Sequence, residues 1–193
     1  MARPRVYFMK HFFHRLDTVF TINEKHYKFL NDTIEDLPTD MIYVELGVKL
    51  GQSLSYVVVE ALNQNKNITA FAIDPWEDKN TYELFLKNIE PIKDYVTIVK
   101  SYSNKEFIKF EDNSIDLLFV DGDHTYEGVY EDCINWYSKV RHIMLFDDIN
   151  HIKWGAGVTR AIKQFSWENS LELIIPIPGN DTYDNRYGYL KKG

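Results

Sequence analysis

Short apolar runs alternate with helical patterns along most of this chain, and this alternation restricts the fold more than any other feature. Each of five runs is followed by a segment with helical spacing; the runs are 41–46, 68–73, 95–99, 115–120 and 142–146. Such runs are typical of strands buried in a parallel sheet, because helices cover both of its faces. Two further strands, 172–175 and 187–190, close the pattern. The order predicts a doubly wound α/β domain with a mostly parallel sheet.

Length and charge narrow the classes of function. A chain of 193 residues with 45% hydrophobic residues is expected to form one domain. The net charge of −7 argues against nucleic acid or an anionic membrane as a partner. The single cysteine, Cys133, excludes an internal disulfide and a cysteine-built zinc site. Because no apolar run reaches about 18 residues and the basic start lacks a signal-type core, we predict a cytoplasmic protein.

Acidic residues stand where two predicted strands end. The run ending at Val120 leads into Asp121, Gly122, Asp123 and His124, and the run ending at Phe146 leads into Asp147 and Asp148. The carboxyl ends of parallel strands border the ligand crevice of an open sheet. Clustered carboxylates repel one another unless a cation lies among them or some take up protons. These strand ends are therefore the predicted centre of the chemistry.

The first two strands end in features that favour a nucleoside. Glu45-x-Gly47-x-x-x-Gly51 follows the first strand, and Ser53 begins the next helix. This is not the G-x-G-x-x-G spacing that places a pyrophosphate at a helix N-terminus, and Glu45 would repel a phosphate. Asp74 ends the second strand, where nucleoside-binding folds place an acid on the ribose hydroxyls. Together they predict nucleoside binding without a pyrophosphate.

These motifs resemble those of class I S-adenosylmethionine-dependent methyltransferases. The segment 44–53 resembles their first motif and the segment 71–76 their second. The segment 116–129 is similar to small O-methyltransferases of the macrocin and cephamycin type, and the resemblance runs from about 44 to 165. It implies a Rossmann-like seven-stranded sheet of order 3-2-1-4-5-7-6 with the last strand antiparallel. It implies a methyltransferase-like domain at 41–193, preceded by a helical or arm segment at 1–40.

The resemblance also implies site residues. The methionine end of S-adenosylmethionine would be held by Glu45, Gly47 and Gly51, with Ser53 nearby. Asp74 would bind the ribose hydroxyls, Trp76 would lie near the sugar or adenine, and Ser101 and Tyr102 would border the adenine. Asp121 would border the cofactor, and in relatives with a divalent ion its position and those of Asp147 and Asp148 hold the metal.

Methyl transfer to oxygen needs a hydroxyl that loses its proton while aligned with the S–CH3 bond. Mg2+ prefers oxygen ligands and lowers the pKa of a bound hydroxyl. We expect Asp123 or His124 to take the proton, with Asp123 slightly favoured and His151 as a third candidate. If Asp147 only caps a turn and Asp148 only faces solvent, the enzyme would be independent of metal and His124 would be the base.

The leading function is O-methylation of a small hydroxylated molecule, such as a sugar or a natural-product intermediate. The alternative is a catalytically inactive methyltransferase-like binding domain, against which the intact acids argue. The glycine spacing disfavours a nicotinamide-dependent dehydrogenase. A nucleic-acid methyltransferase is disfavoured by the acidic charge and by the lack of an Asn/Asp-Pro-Pro-Tyr-like strand end. The aromatic and basic segment 1–23 packs on its own domain, on the partner in a homodimer, or over the active site.

Overall fold

The computed structural model describes residues 12–14, 19–21, 28–149, 151, 153, 155–175 and 187–192. Its strands are β1 (Phe12–His14), β2 (Val19–Thr21), β3 (Asp40–Leu46), β4 (Asn67–Asp74), β5 (Val96–Lys100), β6 (Ile115–Val120), β7 (Val140–Phe146), β8 (Leu173–Ile174) and β9 (Gly188–Lys191). Its α-helices are α1 (Lys28–Glu35), α2 (Gln52–Asn63), α3 (Lys79–Ile89), α4 (Ser103–Glu106), α5 (Tyr126–Trp136) and α6 (Gly155–Glu168).

The main sheet has seven strands in the order β5-β4-β3-β6-β7-β9-β8. Strands β3 to β7 pair in parallel, whereas β9 pairs antiparallel with both β7 and β8. Counted within this sheet, the order is 3-2-1-4-5-7-6, so the predicted doubly wound topology is confirmed. The carboxyl ends of β3 to β7 therefore lie along one edge, which forms the wall of the candidate site.

The alternation of side chains along the strands gives the sheet a core on each face. Tyr43, Leu117 and Phe119 belong to the core on one face, whereas Val44 and Leu118 belong to the core on the other. All six residues of β6 are buried, as expected for a central strand covered by helices on both sides. This central position fixes the strand end that carries Asp121.

Local sequence signals set where the helices begin. The side chain of Asp78 accepts a hydrogen bond from the Thr81 N–H at the start of α3, and the side chain of Thr125 accepts one from the Gly128 N–H at the start of α5. Helix α5 carries the buried Cys133. None of the helices in the described ranges is both long enough and apolar enough to span a bilayer.

The N-terminal segment contains an element that the sequence does not predict. Strands β1 and β2 pair antiparallel, with Phe12 opposite Thr21, and β1 lies beside α3. The helical or arm segment expected at 1–40 contains α1 over Lys28–Glu35, and 22–27 lie outside the described residues. Residues 176–186, between the last two predicted strands, also lie outside them.

Candidate active site

The loop between β3 and α2 approaches the end of β6 so closely that only glycine fits at position 47. Gly47 has a φ of 83°, and a Cβ there would lie 2.3 Å from the carbonyl oxygen of Asp121. The Gly47 N–H donates to the Ile73 carbonyl at 2.9 Å, and the Asp121 N–H donates to the Leu46 carbonyl at 2.9 Å. Gly51 also has a left-handed φ, of 79°, directly before α2. The glycine spacing thus brings the ends of β3, β4 and β6 together.

Glu45 is buried beneath this loop. Its carboxylate accepts a hydrogen bond from the Tyr43 hydroxyl at 2.5 Å and one from the Ser53 hydroxyl at 2.6 Å. Burial raises the pKa of Glu45 from 4.5 to about 8, although both hydroxyls act in the opposite direction. Glu45 is 0% exposed, so the structure places it as a support for the loop and α2. Sequence reasoning missed Tyr43, although residues two apart in a strand share a face.

Asp74 joins the ends of β3, β4 and β5. Its carboxylate accepts hydrogen bonds from the Lys49 N–H at 2.8 Å and the Trp76 N–H at 2.7 Å. The Ser101 N–H donates to the Asp74 carbonyl at 3.1 Å, which places the residue after β5 at the same edge. These backbone donors orient the carboxylate, and each oxygen retains acceptor capacity for a ligand hydroxyl. The position fits the predicted ribose contact.

The two predicted aromatic contacts differ in exposure. The indole of Trp76 is 2% exposed; it stacks on Phe85 with ring centroids 4.4 Å apart, and its N–H donates to the Lys49 carbonyl at 2.8 Å. Trp76 therefore stiffens the loop beside Asp74 and offers little surface to a ligand. Tyr102 is 48% exposed, and its hydroxyl donates to Glu77. Its ring is partly accessible, and the contact with adenine stays a prediction.

His124 brings the acids of β6 and β7 together. Its Nε2 lies 3.6 Å from an oxygen of Asp121 and 3.2 Å from an oxygen of Asp148. Interaction with Asp121 is the largest cause that raises the pKa of His124; burial lowers it, and the charges of Asp148 and Asp147 raise it further. Asp147 and Asp148 are each 8% exposed. The imidazole therefore gains a proton readily and holds it between carboxylates, as a general base requires.

The predicted metal ligands come together without forming a metal site. Among the described residues, no group of three or more His, Cys, Asp or Glu side chains is arranged to hold an ion. The imidazole of His124 lies between Asp121 and Asp148 and carries a positive charge when it is protonated. The donor set therefore does not fit Mg2+, and no chemical step is assigned to it.

Asp123 and His151 occupy different surroundings from His124. The Asp123 carboxylate accepts the Thr125 N–H at 2.8 Å and lies against Gly128, where a Cβ would be 2.4 Å from one of its oxygens. Its carboxylate thus packs against the first turn of α5. His151 is exposed, and its Nδ1 accepts the Lys153 N–H at 3.2 Å. Of the three candidate bases, His124 has the surroundings best suited to proton transfer.

Comparison with known proteins gives matches in sequence and in fold. A family model described as a methyltransferase domain matches residues 44–149. Protein R132 of Acanthamoeba polyphaga mimivirus is 34% identical over 140 residues, which are 65% of this chain and 59% of that protein. The chain thus aligns with about three fifths of the length of that relative.

Two solved O-methyltransferases share the fold. The O-methyltransferase NovP matches with a TM-score of 0.65 and 19% identity, covering 89% of this chain and 81% of its own. The O-methyltransferase TomG from Streptomyces achromogenes, solved in complex with S-adenosylmethionine, matches with a TM-score of 0.63 and 14% identity, covering 90% and 82%. At these identities the structures show a shared fold, and the narrower macrocin and cephamycin branch stays a prediction. The inactive binding domain gains no support from these matches.

Proposed function

The chain belongs to the methyltransferase-domain family, and we propose that it is an S-adenosylmethionine-dependent methyltransferase that methylates a hydroxyl group of a small molecule. The observation that carries the proposal is the position of His124, an imidazole held by two carboxylates at the edge of the crevice that the glycine loop forms. Oxygen methylation needs a proton acceptor at this edge, whereas binding alone does not.

The cofactor would bind across the ends of β3, β4 and β5. Asp74, oriented by two backbone N–H groups, would accept the ribose hydroxyls. The glycines at 47 and 51 would let the methionine end approach the main chain, which Glu45 and Ser53 hold in place from below. Ser101 and Tyr102 would border the adenine.

In the transfer, the acceptor oxygen attacks the methyl carbon of the sulfonium. The C–S bond breaks, its electron pair stays on sulfur, and S-adenosylhomocysteine is released. The hydroxyl proton passes to His124, where the charges of Asp121 and Asp148 stabilise the imidazolium as it forms. The proposal assigns no step to a metal ion.

Calorimetric titration of S-adenosylhomocysteine tests the cofactor assignment. We expect micromolar binding to the wild type and a loss of at least about tenfold in Asp74→Ala, because removal of a charged hydrogen-bond partner costs more than about 1.4 kcal/mol. Asp94→Ala is the matched control, since Asp94 is exposed and lies just before the amino end of β5, away from the carboxyl ends that form the candidate site. Binding that is absent in the wild type, or equal in Asp74→Ala, would overturn the assignment.

The variant His124→Gln tests the proposed base, and the wild type tests metal dependence. We expect the variant to bind S-adenosylhomocysteine like the wild type but to lose kcat, since general-base catalysis contributes about 10²–10⁴-fold. Addition of Mg2+ or EDTA is expected to leave the wild-type rate unchanged. A rate that disappears in EDTA and returns with Mg2+ would show that the proposed charge arrangement is wrong.

A further inference from the structure

A groove of about 850 Å³ runs along the outer face of α6. Ile149 and His151 border one end, Thr159 and Arg160 the middle, and Lys163 and Trp167 the far part. The spacing of three and four residues puts the α6 members on one face of the helix. Trp167 is 80% exposed, so a large apolar side chain stands open to a ligand.

The groove is positively charged on a chain that is acidic overall. Arg160 and Lys163 are exposed, and the net charge of the chain is −7. The Arg160 guanidinium lies 4.1 Å from the centroid of the Tyr126 ring, which holds it at the groove. Within the described part of the chain neither cation pairs with a carboxylate. This charge favours an anionic ligand.

One end of the groove lies beside the candidate active site. Ile149 directly follows the acid pair of β7, and a Cβ on Gly157 would lie 2.9 Å from the carbonyl oxygen of His124. The first turn of α6 therefore packs against the loop that carries the base. With a rise of 1.5 Å per residue, Arg160 and Lys163 lie roughly 8 and 12 Å along the helix from Gly155.

We propose that this groove binds the methyl acceptor, and that the acceptor is an elongated anion. Its hydroxyl would lie at His124, an apolar body would run along the first turns of α6, and a carboxylate or phosphate would lie between Arg160 and Lys163. This inference rests on the proposed function. It names the substrate class as elongated hydroxylated molecules that carry an anionic group at the end away from the reacting oxygen.

A matched pair of probes separates charge from shape. 3-(4-Hydroxyphenyl)propanoate and its methyl ester share the hydroxyl and the apolar body, but only the acid carries a negative charge. Both are titrated calorimetrically into the protein saturated with S-adenosylhomocysteine. We expect the acid to bind at least about tenfold more tightly than the ester, and this preference to shrink as NaCl is raised.

Variants assign the preference to the groove. The double variant Arg160→Gln and Lys163→Gln is expected to bind the acid and the ester equally, whereas Lys87→Gln, on α3, keeps the preference. Trp167→Ala is expected to leave the affinity of both probes unchanged, because Trp167 lies about 18 Å along the helix from Gly155, beyond both cations. The affinity for S-adenosylhomocysteine should be unchanged in all three.

The outcomes distinguish this inference from the proposed function. If S-adenosylhomocysteine binds but the acid binds no better than the ester, or the double variant keeps the preference, the acceptor groove is wrong and the methyltransferase proposal stands. If S-adenosylhomocysteine itself does not bind the wild type, the proposed function fails.

Discussion

Replacement of Glu45 by glutamine should change how stability depends on pH. In the folded protein the pKa of Glu45 is about 8, against 4.5 in the unfolded chain. Below pH 4.5 both states are protonated and the group costs nothing. As the pH rises toward 8 the unfolded chain ionises while the buried carboxyl does not, so the free energy of unfolding falls. At 1.36 kcal/mol per pH unit, the loss between pH 5 and 8 is at most about 4 kcal/mol.

The amide of Glu45→Gln does not titrate and can still bond to Tyr43 and Ser53. We therefore expect wild type and variant to have similar stability at pH 5, and the variant to be more stable by up to about 3 kcal/mol at pH 7. Urea unfolding of the ligand-free proteins, followed by far-UV circular dichroism at pH 5, 6, 7 and 8, measures the difference. Glu83→Gln, on the exposed face of α3, is the control and should follow the wild type.

Parallel pH profiles for wild type and Glu45→Gln would refute the reasoning. They would mean that Glu45 is ionised in the folded protein, with the two hydroxyls outweighing burial. Other groups that titrate above pH 6 affect both proteins equally, so the difference between the two profiles isolates Glu45.

Three further predictions concern the same edge of the sheet. Gly47→Ala should destabilise the protein by at least about 2 kcal/mol and weaken S-adenosylhomocysteine binding. The control is Gly122→Ala, whose Cβ would lie 3.7 Å from its nearest atom; in the same urea assay it should lower the free energy of unfolding by less than about 1 kcal/mol. Trp76→Ala should cost about 3–5 kcal/mol in urea unfolding, while the exposed Trp167→Ala should stay within about 0.5 kcal/mol; equal losses would show that Trp76 is not packed as described. The pKa of His124, measured by NMR titration with His124→Gln for assignment, should exceed 6.5. The contribution of His124 to stability is then complete below pH 6.5 and is lost as the pH rises through the folded pKa. A pKa below 6.5 would contradict the contacts with the two carboxylates.

The fold was predictable because its signals are local. Each buried strand is a short apolar run that stops at a turn residue, and β6 with its six buried residues is the clearest case. The order of the strands within the sheet was implied by the resemblance to class I methyltransferases, because hydrophobic periodicity does not show which strands are neighbours. The β1–β2 hairpin was not predicted, because strands of three residues are too short to show alternation against a background of aromatic and basic residues.

The sequence predicts which residues lie at the candidate site, but not the direction in which their side chains point. Strand ends placed Asp74, Asp121 and His124 at one edge, since parallel strands end together. The direction of a side chain depends on partners that lie far apart in the sequence. The side chain of Asp123 packs against the first turn of α5, and the indole of Trp76 packs on Phe85. Neither contact is visible in a motif, because each depends on how a loop folds back on a helix.

The burial of Cys133 has a practical consequence for studying this protein. The thiol of Cys133, on α5, is fully buried in the core, and burial raises its pKa well above the usual value. It is therefore neither accessible nor ionised in the folded state. A thiol reagent can therefore modify it only when α5 separates from the sheet. The rate of modification under native conditions would report the free energy of that opening. Any cysteine introduced at the surface could be labelled selectively while this one stays unmodified, so fluorescent dyes can be attached without first removing it.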